Sequence, residues 1–274
     1  MLRMRQGFTT TAAFLLTLAS AALGQVIHTP SFPFNGGTEG DRFGTSVSGA
    51  GDVNNDGFDD LIVGAPEDDN NGVDSGSARV FSGATGTILY TLNGNSILDQ
   101  FGYSVSGAGD VNDDGFDDFI VGSPLDNSKS IPTGSARVFS GADGSILFTF
   151  YGDSTADSFG ISVSDAGDVN NDGFADLIVG ASNDDNNGEG SGIARVFSGA
   201  DGSILFTFDG EAAGDQFGRS VSGAGDVNND GFDDLIVGAL RDDNNGEDSG
   251  SAFVFLSAPL PPSSEPPPCP GDVT

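Results

Sequence analysis

The chain has 274 residues, 41 of them acidic and 9 basic, a formal charge of −32, one histidine, one cysteine and no tryptophan. That length permits a substantial buried core, and the charge excludes nucleic acid and anionic membranes as partners, since both are bound through clustered Lys and Arg. Disorder is the other common reading of an acidic, Gly-rich chain, but 22 Phe and recurring Leu-Ile-Val runs oppose it.

Residues 1–24 carry Arg3 and Arg5, continue through an apolar run from Ala12 to Ala19, and end in the small-x-small pattern Ala22-Leu23-Gly24. This predicts a secretory signal peptide and a secreted, extracellular or cell-surface protein. The apolar run is short for a bilayer span of about 20 residues, so no membrane insertion is expected once the leader is removed. His28 follows near the processed terminus, and Cys269 has no partner for an internal disulfide. With one of each, Ser-His-Asp and Cys-His arrangements are implausible, so no catalytic residue is assigned and no enzyme is expected.

Residues 25–258 are dominated by a repeat. Phe43-Gly44, Phe101-Gly102, Phe159-Gly160 and Phe217-Gly218 each stand 58 residues apart, with no insertion or deletion between them. Self-similarity at such a period is the mark of an array of supersecondary units. The units run over about 41–98, 99–156, 157–214 and 215–258. Within the first, short apolar runs bounded by Gly, Asn and Asp predict strands over 44–48, 60–63, 77–81 and 87–92. Four strands per unit match a propeller blade.

Between the first two strands of each unit lies an acidic loop, first seen as Asp52-Val53-Asn54-Asn55-Asp56-Gly57-Phe58-Asp59-Asp60. Calcium wants six to eight oxygen ligands, and Asp52, Asn54, Asp56 and Asp60 supply three carboxylates and an amide. Gly57 allows the sharp turn, and the Phe58 carbonyl fills the gap. The other units repeat the set: Asp110, Asn112, Asp114, Phe116 and Asp118; Asp168, Asn170, Asp172, Phe174 and Asp176; Asp226, Asn228, Asp230, Phe232 and Asp234. About four Ca2+ sites are therefore expected. An EF-hand requires a Glu at the twelfth position, where these loops carry Val63, Val121, Val179 and Val237. Turn formation by Asp-Gly and Asn-Asp is the bland alternative, opposed by four complete ligand sets at one spacing.

Together, Phe43-Gly44, the loop 52–60 and Val63-Gly64-Ala65-Pro66, with their three counterparts, resemble the FG-GAP repeats of the integrin α-chain propeller and related bacterial secreted proteins. The resemblance covers about residues 41–258. The ending drifts to Gly122-Ser123-Pro124, Gly180-Ala181-Ser182 and Gly238-Ala239-Leu240. It implies an all-β propeller of four four-stranded blades in a secreted adhesion or binding module, with calcium in a structural role and a protein or glycan as partner. A structural repeat domain without a discrete ligand is the alternative, and a polysaccharide-active enzyme the remoter one.

The fourth unit ends after Phe255 without a fourth strand, while Phe32-Pro33-Phe34-Asn35-Gly36 aligns with Phe148-Thr149-Phe150-Tyr151-Gly152. A strand over 31–36 is therefore expected to complete the last blade and close a monomeric ring, with an open arc or an eight-bladed dimer as alternatives. A second acidic stretch follows the second strand, as in Asp68-Asp69-Asn70-Asn71-Gly72, and reads as a solvated loop. The loops after strands two and four vary among units, which makes their end of the blades the expected ligand face. Residues 259–274 form a Pro-rich linker, and its Pro270-Gly271-Asp272-Val273-Thr274 ending resembles the start of another calcium-binding module.

Overall fold

The computed structural model describes residues 32–258 except Ser130. The expected signal peptide, His28 and the Pro-rich tail with Cys269 lie outside the described residues. Every strand falls in one unit that begins at Phe34. No helix among the described residues is long and apolar enough to cross a membrane.

The architecture is all-β and follows the repeat. The first sheet contains β1 (Ser46–Gly51), β2 (Asp60–Ala65), β3 (Ser77–Phe81) and β4 (Ile88–Asn93). The second contains β5 (Ser104–Gly109), β6 (Asp118–Ser123), β7 (Ser135–Phe139) and β8 (Ile146–Tyr151). The third contains β9 (Phe159–Gly167), β10 (Asp176–Ala181), β11 (Ile193–Phe197) and β12 (Ile204–Asp209). Among the described residues the fourth contains β13 (Phe217–Gly225), β14 (Asp234–Ala239) and β15 (Ser251–Phe255). Each sheet is an antiparallel meander in chain order, as expected of propeller blades.

The expected third strand, 77–81, is found as such, while the first starts later than expected and runs to Gly51. Gly44 precedes it with a left-handed φ of 93°, and its N–H donates to the Gly64 carbonyl at 2.9 Å. A bulge between Gly49 and Gly51 then turns the chain into the acidic loop.

Successive sheets stack through one recurring apolar joint. Val53, Ile62, Ala78 and Val80 of the first blade pack in a single cluster with Val105, Phe119 and Phe139 of the second. Val111, Ile120, Ala136 and Val138 meet Val163, Leu177 and Phe197 in the next joint. Val169, Ile178, Ala194 and Val196 meet Val221 and Leu235 in the third. The joint is too close for a side chain at one point: a Cβ on Gly64 would lie 1.9 Å from the Gly102 carbonyl oxygen. This close approach accounts for the glycine kept at 64, 122 and 180, whatever follows it.

The four sheets do not close into the expected ring. Residues 32–36 form no strand, and no strand borders the outer edge of β15 among the described residues. Phe34 does take the foreseen register, stacking on Phe81 at 4.1 Å as Phe150 stacks on Phe197 at 3.9 Å. It thereby occupies the place of a preceding blade's outer strand on the first sheet. The ladder to β15 fails because the fourth sheet is stacked only on the third, leaving its other face open.

Candidate metal centre

The acidic loops connect the first and second strands of each sheet, and their geometry repeats. In the first, Asp52 Oδ1 accepts from the Asp56 N–H at 2.9 Å and Asp52 Oδ2 from the Gly57 N–H at 2.7 Å. Asp56 Oδ1 accepts from the Phe58 N–H at 3.0 Å. Asp110, Asp168 and Asp226 fold their loops in the same way. The chain reverses through left-handed residues at Asn55, Asp113, Asn171 and Asn229, then Gly57, Gly115, Gly173 and Gly231. Asn, Asp and Gly tolerate that conformation best, so the loop is written into its sequence.

The last acid of each loop opens the second strand and is wholly buried. Asp118 Oδ2 accepts from the Val111 N–H at 3.0 Å, and Oδ1 accepts from the Gly141 N–H at 2.9 Å. Asp60, Asp176 and Asp234 make the equivalent pairs. These acids therefore tie the acidic loop to the segment that follows the third strand, placing both at one end of the blade. Burial pushes the Asp118 and Asp176 carboxyls up to about 7, and the loop's other two carboxylates push the same way.

Three acids per loop thus repel one another around a turn whose donors are all oxygen. In the first loop, Asn54 Oδ1 is buried without a hydrogen-bond partner. In the others the amide oxygen accepts from the N–H two residues on, as Asn112 does from Asp114 at 3.0 Å. Among the described residues, no three His, Cys, Asp or Glu side chains converge as a ready-made metal cluster. The loop carboxylates turn toward their own N–H groups instead, using one lone pair of each engaged oxygen and leaving another. The donor set fits a hard divalent cation; a soft metal would want thiolate or imidazole.

The opposite end corrects the reading of the second acidic stretch as solvated at one position only, since Asp69, Asn70 and Asn71 and their counterparts in the third and fourth units are exposed. Asp68, Asp126, Asp184 and Asp242 are buried, 58 residues apart. Asp126 accepts from Ser135 Oγ at 2.6 Å and pairs with Arg137 at 2.8 Å, while Arg137 lies 5.2 Å from the centre of the Phe101 ring. Arg79 makes the same contacts more loosely. Asp41, Asp99, Asp157 and Asp215, two residues before each Phe-Gly, are buried as well and accept from the N–H three residues back. The sequence signal for the second set is the Asp of Asp-x-Phe-Gly in every unit, and for the first an Asp recurring every 58 residues, joined in the first two units by the Arg of Ser-Ala-Arg-Val-Phe.

Models of the FG-GAP repeat match residues 43–81, 101–139 and 159–197, and a second FG-GAP model matches residues 205–255. The chain belongs to the FG-GAP repeat family. It is 30% identical to integrin alpha-5 of Xenopus laevis over 80% of this chain and 22% of that protein. It is also 30% identical to integrin alpha-4 of the same species over 75% of this chain and 20% of that one. The FG-GAP chain therefore spans about a fifth of the length of these relatives. Among solved structures, a rhamnogalacturonan lyase of Bacillus licheniformis aligns at 18% identity with a TM-score of 0.43, over 68% of this chain and 38% of that one.

Proposed function

We propose that this FG-GAP chain is a secreted calcium-binding module that displays loops to an extracellular protein or glycan, with calcium acting structurally. The observation that carries the reading is the acidic loop itself, built four times with the same hydrogen bonds to its first carboxylate and one all-oxygen donor set. Asp52, Asn54, Asp56, the Phe58 carbonyl and Asp60 would hold the ion in the first loop, and their equivalents would do so in the other three. The ion would supply positive charge to three mutually repelling carboxylates. Likeness to integrin α chains supports the adhesive role, and the opposite, variable loop end is the surface assigned to the partner.

Extracellular calcium modules bind with dissociation constants of roughly 0.1 to 1 mM, so 1 mM calcium adds roughly 0.4 to 1.4 kcal/mol per site. Chelation should therefore lower the melting temperature, and calcium should restore it. A melting curve indifferent to both would refute the structural role. For the adhesive role, a glycan and surface-protein binding screen should lose its signal when the loops after β2, β6 and β10 are made uniform.

A further inference from the structure

The two end faces of the array are the two halves of the joint that recurs inside it. Val105, Val163 and Val221 are at most 6% exposed against the preceding blade, yet their equivalent Val47 is 66% exposed. Ile62, Ile120 and Ile178 are fully buried against the following blade, whereas Ile236 is 37% exposed. Val254 and Val227 show the same contrast with Val80 and Val53. The first blade thus offers the inserting half and the fourth blade the receiving half.

The polar complement is present too. At the first joint the Asp52 N–H donates to Asp117 Oδ2 at 2.7 Å, and at the third the Asp168 N–H donates to Asp233 Oδ2 at 2.9 Å. The register puts Asp226 and Asp59 in those roles on the open faces. Ser46 Oγ accepts from the Val105 N–H and Ser162 Oγ from the Val221 N–H, both at 3.1 Å. Ser220 and Val47 are the corresponding pair.

The fit extends to a cavity. Phe101-Gly102 enters the first blade beside Gly64, Gly76 and Ser77, with Gly76 bridged to Phe101. The equivalent place on the fourth blade, beside Gly238, Gly250 and Ser251, is a cavity of about 520 Å³. A Cβ on Gly238 would meet nothing closer than 3.7 Å, where one on Gly180 would strike the Gly218 carbonyl at 1.9 Å.

From this register match we infer that the fourth blade of one chain docks on the first blade of a second copy, whose Phe43-Gly44 fills the cavity. The contact is head to tail, and a two-fold axis makes two of them, so that eight sheets close on themselves without a free end. Eight lies within the range of about four to eight blades that propellers use. Phe34 of each copy then sits beside β15 of the other, at the edge where the fourth sheet lacks its outer strand.

Sedimentation equilibrium of the whole chain at micromolar concentration tests this. Two chain masses are expected for the wild type, and one for Val47→Arg and for Ile236→Arg, each of which damages both junctions. Because both side chains are exposed in the single chain, the variants should keep the wild-type far-UV circular dichroism. A monomeric wild type, a species larger than two chains, or a dimer indifferent to both substitutions would overturn the proposal. A monomer would assign the open faces to closure within one chain or to another protein.

Discussion

The three internal joints and the two end faces are built from nearly the same residues in the same register, and they differ chiefly in what lies opposite. Ile178 is sealed between blades and Ile236 looks out, though each occupies the same position in the strand sequence Asp-Leu-Ile-Val-Gly. A repeat therefore specifies a surface that carries its own complement, and burial follows from neighbours instead of from local pattern. This is the physics of stacked repeats: each unit buries its apolar face only against another.

The sharpest way to break the comparison is to truncate equivalent isoleucines. Ile178→Ala leaves a cavity in a sealed joint and should cost about 2 to 5 kcal/mol in urea unfolding. Ile236→Ala removes a side chain that in the single chain is already in contact with water, so in the monomeric Val47→Arg background it should cost the fold less than about 1 kcal/mol. Equal costs would mean that the end face is as covered as the joint.

Glycine offers the next contrast. A Cβ on Gly122 would lie 2.0 Å from the Gly160 carbonyl, so Gly122→Ala forces the blades apart and should cost about 1 to 3 kcal/mol. Gly238→Ala has room and should leave thermal unfolding of the single chain near wild type. Smaller again is the effect of one loop. Asp114→Ala removes a single ligand and should lower the calcium-dependent part of the stability by about 0.4 to 1.4 kcal/mol, with little change in chelator.

The smallest effect tests where one joint departs from the rest. Asp165 stands where the other blades have Gly49, Gly107 and Gly223, and burial raises its pKa, with Asp233 and Asp117 adding to the rise. The folded chain then holds a proton that the unfolded chain releases near pH 4. Stability contributed by this group is lost as pH climbs above that value. Asp165→Asn should melt above wild type at pH 7, and the gap should shrink toward pH 3. A gap independent of pH would remove titration of Asp165 as its cause.

Much of this was legible beforehand because the signals were periodic. The 58-residue spacing locates the units, the third strand has its expected bounds, and the turn after the second strand survives the drift after Gly64 because its bond, from the Asp68 N–H to the Ala65 carbonyl and likewise in the other three units, is made by the backbone. The structural roles of Asp60 and its equivalents were less visible. Their carboxylates accept from backbone N–H groups of the preceding and following segments, a long-range pairing that no local pattern declares. Asp68 and Asp126 sit in stretches that read as polar loop, whereas the partners that bury them, Ser77 with Arg79 and Ser135 with Arg137, lie a strand away. Ring closure is not legible for a related reason: register tells where Phe34 packs, but whether β15 comes round to meet it depends on the angle between blades.

The central claim is that the four acidic loops hold calcium. Equilibrium dialysis of the purified chain against radioactive calcium at millimolar concentration, with elemental analysis of the retained metal, tests it most directly. The account predicts about four ions per chain, falling by one when Asp56, Asp114, Asp172 or Asp230 is singly replaced by alanine. Retention at the level of a buffer blank, or four ions held unchanged by all four variants, would contradict it.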